Sequence, residues 1–518
     1  MLVMLETVCY FRPMIAKTIS FMPLGFNAEL IEVEGATTQG LPVFNIVGMG
    51  ARTVSEARDR VRSAIKNSGF LFPDNKLTIN LAPADLEKEG TFFDLPIAIN
   101  VLMLSKQLLL KNIEDMAFVG ELSLDGSLRP VRGIINIVET AKKHDIHTLF
   151  IPEKNFEQAS IITGINLIPI KNLTEIFRYL RGQTPISKKS CTNGLDQGSK
   201  QKITSNTLNF DDIHGQAIAK RALTIAVAGR HNILLSGPPG TGKTMLARAA
   251  MSLLPELSTP EKIAITKLHS LTTPTEGIIE QRPFRTPHHT SSLASLIGGG
   301  ANAEPGEISL AHLGVLFLDE LPEYQRLYLE ALRQPLEDRE ITISRARRKV
   351  TYPADFMLIA TMNPCPCGYL GDKIHPCSCS ETQINNYRKK LSGPLLDRID
   401  LFTEVSRPDI SELDKKSNTD QQAKIKIAIK NAISIQRERY KNNTVYNSSV
   451  PSRNISEVLL LSTNAKTLLN TAAKNLNLSV RSYYKVIKVA RTIADLENSR
   501  EILESHLTEA LNFRYKIP

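Results

Sequence analysis

The sequence predicts an α/β protein that ends in a helical segment, and three observations lead there. Residues 231–250, HNILLSGPPGTGKTMLARAA, read as a buried strand, a glycine-rich turn and an amphipathic helix. Two further apolar runs, GVLFLDEL and FMLIATMNP, each break off into polar side chains, as strands do at the ligand-binding end of an open sheet. Upstream, residues 14–180 alternate strand-like runs (LIEVEGAT, VFNIVGM, KLTINLAP, TLFIPE) with helical patterns.

Taken in order, residues 1–13 read as a short extension. They lack the basic start and long apolar core of a secretory signal. The first domain follows, over 14–180. Its helix ARTVSEARDRVRSAIKNSG carries Val54, Ala57, Val61 and Ala64 at helical spacing and stops at Gly69. Residues 181–207 are polar, rich in Ser, Thr, Lys and Gly, and read as a linker. A nucleotide-binding core is expected over 208–404 and a mostly helical segment over 405–518, with ISELDKKSNTDQQ as a loop. A chain of 518 residues is too long for one core, in keeping with about three domains.

The formal charge of +10 favours a polyanionic partner such as nucleic acid. No window approaches the length of uninterrupted apolar sequence that a membrane helix needs, so no membrane partner is expected. Six cysteines, four of them clustered, do not resemble a disulfide framework, and a reducing cytoplasm is the simpler setting.

The strongest motif is G-x-x-x-x-G-K-T, spanning Gly237, Pro238, Pro239, Gly240, Thr241, Gly242, Lys243 and Thr244. Small residues let backbone N–H groups curl around phosphates, and the helix that follows adds a favourable dipole. Lys243 suits the β- and γ-phosphates of ATP, and the Thr244 hydroxyl suits Mg²⁺. After the run Val315 to Leu318, Asp319 is expected in the Mg²⁺ shell, and Glu320 is expected to polarise the attacking water. FMLIATMNP ends with Thr361 and Asn363, an amide suited to sensing the γ-phosphate, although an Asn after a strand is also a common turn former. Arg398, in LSGPLLDRIDLF, suits developing phosphate charge, against a plain salt bridge to Asp397 or Asp400. Arg481, near the start of SVRSYYKVIKVARTIADL, suits a lid closing over the nucleotide, against a solvated basic face.

The order of loop, acidic pair, Asn, Arg and lid Arg resembles the AAA+ ATPases. That resemblance implies a ring, usually of six subunits, in which the finger arginine acts on a neighbour's nucleotide. FDDIHGQAIAKRALTIA is similar to the family's adenine-contacting segment, which carries that role to Ile213 and Gly215. RPFRTPHHTSSLASLIGGGANAEPGEISLAHLGVLFLDELPEY resembles the magnesium-chelatase-like branch, and nearly the whole chain resembles the ComM/YifB family. The implied architecture is α/β: an AAA+ P-loop core, an N-terminal Lon-protease-like α/β domain and a C-terminal helical lid. The implied activity is ATP-driven DNA branch migration, associated in this family with natural transformation.

GELSLDGSLRPVRGIINIVETAKKHDIHTLFIPEKN resembles part of a Lon protease domain. Aligned on that resemblance, the dyad lysine falls on Ile135 and the serine near Phe93. Neither side chain can attack a carbonyl or move a proton, so this domain is expected to assemble subunits or bind DNA and not to cleave peptides.

Cys365, Cys367, Cys377 and Cys379 form C-x-C-x9-C-x-C, which suits a closed tetrahedral Zn²⁺ site, with His375 as a substitute ligand. Reduced surface thiols or redox-labile pairs are the competing readings. The expected role is to stiffen an insertion near a subunit interface without catalysis. REITISRARRKVTYPADF reads as a hairpin with Arg345, Arg347, Arg348 and Lys349 at its turn, a place for phosphates of single-stranded or branched DNA, against a plain solvated tip that the charge alone fits equally well. Gly298, Gly299 and Gly300 are a second candidate, and the nearby His288 and His289 are expected to be packing or interface residues. Two rivals to a DNA motor stand: a chelatase-type motor for metal insertion, and a protein-remodelling ATPase that ignores DNA.

Overall fold

A computed structural model describes residues 14–514, apart from 87, 89–90, 111–112, 184–207, 274–276, 301–302, 346–347, 373, 408–420, 452–454 and 456–459. The expected N-terminal extension, nearly all of the linker and most of the polar loop ISELDKKSNTDQQ lie outside the described residues. The chain divides into two compact units.

The first unit is built on a seven-stranded mixed sheet. Strands β1 (Met14–Leu24) and β2 (Asn27–Thr38) form a long hairpin across a two-residue turn in which Gly25 has φ +60°. With β3 (Phe44–Val47), β4 (Lys76–Ala82), β5 (Met116–Phe118), β6 (Thr148–Pro152) and β7 (Asn166–Ile170), the order is β3-β4-β2-β1-β5-β6-β7. Side chains alternate between two apolar layers. Phe118, Phe150 and Ile168 join one layer, while their chain neighbours Ala117, Leu149 and Leu167 join the other. Helices α1 (Ala51–Asn67), α2 (Asp94–Leu104) and α4 (Leu173–Leu180) cover the first face, and α3 (Ile134–Lys143) covers the second.

Helix α2 is apolar almost all round and sits against the hairpin. Its Asn100 donates to Ala16 O at 3.1 Å and Val33 O at 2.8 Å. Gly35 makes room for it, since a Cβ there would stand 2.1 Å from Asn100 Oδ1. Residues 262–279, inside the expected ATPase stretch by sequence, belong to this unit. Ile263 joins the α3 layer, Lys267 Nζ pairs with Glu139 at 2.5 Å, and Gly133 N donates to Ser270 O at 2.9 Å.

The second unit carries a five-stranded parallel sheet. Its strands are β8 (Ile233–Ser236), β9 (Phe284–Arg285), β10 (Val315–Leu318), β13 (Met357–Met362) and β14 (Leu401–Glu404), in the order β9-β10-β13-β8-β14. β10 and β13 are buried at every position, as strands covered on both faces must be. The chain visits β13 last of the central three yet seats it between β10 and β8. The segments that follow these strands therefore emerge side by side.

The basic hairpin is formed by β11 (Glu340–Arg345) and β12 (Arg348–Pro353), with Arg345 opposite Arg348. Ile341, Ile343, Val350 and Tyr352 are buried, and Lys349 is exposed. Arg347 and the side chains of Arg345 and Arg348 lie outside the described residues.

Helices α5 (Ala217–Gly229) and α6 (Lys243–Met251) flank β8 in sequence, and α7 (Thr259–His269) and α8 (Glu381–Lys389) come later in the chain. The C-terminal helices include α9 (Gln421–Tyr440), α10 (Thr463–Asn475), α11 (Val480–Leu496) and α12 (Glu504–Asn512). They share one continuous core with the sheet: Ile225, Ile233, Ile359, Ile429, Ile493 and Leu507 belong to the same buried cluster. Among the described residues no helix is long and apolar enough to cross a membrane.

Candidate nucleotide site

The loop between β8 and α6 has the backbone its glycines allow. Gly240 and Gly242 have φ +78° and +85°, a left-handed region that costs other residues about 1–2 kcal/mol. Gly237 meets a different demand. Its N donates to Met362 O at 3.2 Å, and a Cβ on it would stand 2.1 Å from Val405 O. Thr241 Oγ1 donates to Pro238 O at 2.9 Å and closes the turn.

Lys243 is the first residue of α6, and its ammonium turns back into the loop. It donates to Gly237 O at 2.5 Å, Pro238 O at 2.9 Å and Asn363 Oδ1 at 3.2 Å. Burial pulls its pKa below the ordinary lysine value, against the opposing pull of Asp319 and Glu320. Thr244 Oγ1 donates to Asp319 Oδ2 at 3.2 Å. Lys243, Thr244, Asp319 and Asn363 thus form one cluster at the ends of β8, β10 and β13.

Thr361 binds the acidic pair into that cluster. The register sets Leu318 beside Ala360, so Asp319 follows alongside Thr361. Thr361 Oγ1 donates to Asp319 Oδ1 and accepts Glu320 N at 3.0 Å. Glu320 has φ +53°, unusual for a residue with a side chain, and both carboxylates are exposed. A lone hydroxyl in an otherwise apolar strand, two residues before Asn363, was the only sequence signal for this role.

Ile213 and Gly215 lie just before α5. Ile213 is buried and its O accepts Lys220 Nζ at 2.5 Å, while Gly215 has φ +63°. The adjacent Gln216 Nε2 donates to Ser406 O, one residue past the Val405 that covers Gly237.

The two arginines gather elsewhere. Arg398 is buried, with Nε donating to Arg333 O at 3.2 Å and Nη2 paired with Glu337 Oε2 at 2.6 Å. Burial foremost, then Arg333, pulls its pKa down. Arg481 is half-exposed and pairs with the other oxygen of Glu337. Asp400 pairs with Lys485 at 3.4 Å, one helical turn along α11 from Arg481. The structure groups Arg481 with Arg398 on one carboxylate, in a cleft of about 390 Å³, and gives neither a partner in residues 237–244.

The four cysteines converge. Their sulfurs lie within 4.8 Å of one another, with Cys365–Cys367 at 3.3 Å, Cys367–Cys377 at 3.5 Å and Cys365–Cys377 at 3.6 Å. Tetrahedral thiolates about 2.3 Å from zinc would stand about 3.8 Å apart, so the donor set fits. The His375 ring lies tilted against Tyr369, centroids 5.1 Å apart, and is outside this grouping. His288 and His289 have ring centroids 4.2 Å apart, and no metal grouping among the described residues includes them. In the first unit, Ile135 and Phe93 are both buried hydrocarbon.

Three family profiles tile the chain. "Magnesium chelatase, subunit ChlI" matches residues 209–413, "Subunit ChlI of Mg-chelatase" matches 33–155, and "Magnesium chelatase, subunit ChlI C-terminal" matches 419–514. Competence protein ComM of Haemophilus influenzae is 43% identical over 510 residues, covering 96% of this chain and 97% of its own. The chain belongs to the ComM/YifB magnesium-chelatase-like family. YifB of Escherichia coli is 42% identical over 495 residues, 95% of each chain. A Lon protease from Aster yellows witches'-broom phytoplasma is 24% identical over 164 residues, 29% of this chain and 20% of that one. Membership implies an AAA+ P-loop ATPase core with a helical C-terminus, and ATP and Mg²⁺ as its cofactors.

Proposed function

We propose that this chain hydrolyses ATP at the boundary between subunits of a hexameric ring and uses the energy to move DNA, as a branch-migration helicase. The observation that carries the reading is the meeting of Lys243, Thr244, Asp319 and Asn363 at the ends of adjacent parallel strands. In this reading residues 237–244 wrap the phosphates and Ile213 and Gly215 flank the adenine. Lys243 carries the β- and γ-phosphate charge. Thr244 and Asp319 hold Mg²⁺, which supplies charge neutralisation when bound. Glu320 orients and polarises water, and Asn363 contacts the γ-phosphate. Arg398 is assigned to a neighbour's nucleotide, and Arg481, which shares Glu337 with it, to the lid over the nucleotide.

The DNA assignment rests on the likeness to ComM, whose name ties that protein to competence, and on the basic hairpin around Arg345, Arg347, Arg348 and Lys349. A hairpin of this kind grips phosphates without reading bases. The first domain serves assembly or DNA binding, because Ile135 and Phe93 offer no dyad. Cys365, Cys367, Cys377 and Cys379 hold structural Zn²⁺. A cytoplasmic setting suits four reduced thiols.

The test is strand exchange on forked and four-way junctions, with wild type beside Lys243→Ala. Wild type alone should process them, and only with ATP. Equal processing by both proteins refutes the mechanism. ATP hydrolysis that no DNA stimulates would favour a chelatase-type or protein-remodelling motor.

A further inference from the structure

The cysteine loop is a wall of the nucleotide site. Asn363, which accepts Lys243 Nζ at 3.2 Å, stands two residues before Cys365. Gly368 presses on the phosphate loop: its φ is +86°, and a Cβ there would stand 2.8 Å from Pro239 Cδ. Asp372, its side chain 2% exposed, pairs with Arg407 at 3.1 Å, two residues past the Val405 that covers Gly237. Three points of the segment 363–372 thus touch the loop or the chain just past β14, whose Val405 covers Gly237.

Beyond these contacts and a hydrogen bond between Tyr387 and the Asn363 backbone, no regular structure supports this segment among the described residues. Residues 364–379 form no helix or strand among those described, and apart from Cys365, Gly368 and the Asp372 side chain they are partly or fully exposed. Cys365 fastens the turn from within. Its O accepts Gly368 N at 3.0 Å, and its Sγ accepts Leu370 N at 3.3 Å. A loop without a core keeps its shape through cross-links, and four thiolates on one ion are such a link.

We propose that metal bound by Cys365, Cys367, Cys377 and Cys379 holds Gly368 and Asn363 against the phosphate loop, so that metal occupancy sets the affinity for ATP. This rests on the zinc and nucleotide readings above and assigns the metal a consequence beyond stiffening an insertion. Gly368 acts here as a positioning residue for Pro239, and Asn363, besides its proposed contact with the γ-phosphate, positions Lys243.

The experiment measures zinc content and binding of a fluorescent ATP analogue in wild type, in protein stripped by chelator under reducing conditions, and in Gly368→Ala. Stripped protein should bind about tenfold more weakly, and added Zn²⁺ should restore binding. Gly368→Ala should keep its zinc and bind about tenfold more weakly, because a side chain at left-handed φ must push the turn off Pro239. Zinc-bearing wild type whose affinity survives stripping overturns the inference, and so does Gly368→Ala with undiminished affinity. Wild type that carries no metal refutes the zinc reading and takes this inference with it. Zinc-bearing wild type that binds no ATP analogue refutes the nucleotide reading instead.

Discussion

Thr361→Val isolates one hydroxyl and asks what holds the carboxylates of the site. The swap nearly keeps the volume of a fully buried side chain and replaces its hydroxyl by a methyl. Two bonds go with it: the donation to Asp319 Oδ1 and the acceptance of Glu320 N at 3.0 Å. A hydrogen bond to a charged group contributes about 1.5–3 kcal/mol, and Asp319 is exposed, which points to the lower end. About 1.5 kcal/mol corresponds to about a tenfold effect on the step that uses the aligned carboxylate. The Glu320 N–H also loses its partner, which costs about 1–3 kcal/mol of stability. The assay is steady-state ATP hydrolysis across a Mg²⁺ titration, with Thr361→Ser as the variant that keeps the hydroxyl. Thr361→Val should turn over about tenfold more slowly or require correspondingly more Mg²⁺, and Thr361→Ser should stay near wild type. A Val variant with wild-type turnover and Mg²⁺ dependence would show that the strand hydroxyl positions nothing.

Gly237→Ala drives a methyl to within 2.1 Å of Val405 O, an overpacking that should cost about 1–3 kcal/mol or more and weaken ATP binding, read by urea melts and nucleotide titration. Glu337→Gln removes the charge that holds Arg398 and Arg481 together. About 1 kcal/mol for such a part-exposed pair predicts about a fivefold fall in kcat with little change in KM, and an unchanged kcat would remove Glu337 from the site. Burial foremost, with Asp355 opposing it, pushes the pKa of His312 down to about 4, and its Nδ1 accepts Asp355 N at 3.1 Å. An unfolded chain protonates this ring near 6.5, so stability should fall as pH drops from about 6.5 to about 4, by up to about 3 kcal/mol. His312→Gln should flatten that part of the pH profile in urea melts.

The strand, loop and helix around Lys243 were legible because local chemistry dictates them: apolar run, glycines, lysine and threonine at fixed offsets. The parallel strands were legible as short apolar runs, and the basic hairpin as two alternating strands around a charged turn. What escaped depends on contacts between distant positions. Glu337 sits in a short helix with no pattern to mark it, yet it joins Arg398 to Arg481 across 83 residues of sequence. Thr361 reads as one more strand residue until the register sets it beside Asp319. Residues 262–279 follow the phosphate loop in sequence, and nothing in their order says that they pack on α3 of the first unit. The pressure of Gly368 on Pro239 is likewise invisible without coordinates.

The core common to the sheet and the C-terminal helices limits what kind of machine this unit can be. Ile487 and Ile493 of α11 belong to the same buried cluster as Ile233 and Ile359 of the sheet. Swinging α11 out alone would tear that cluster open, at about 2–5 kcal/mol for each large aliphatic side chain left beside a void. Arg481 therefore travels with the strands that carry Lys243 and Asp319. In the proposed ring, a power stroke would tilt whole protomers against each other, with stiffness supplied by hydrocarbon packing and slack left to the joints between copies.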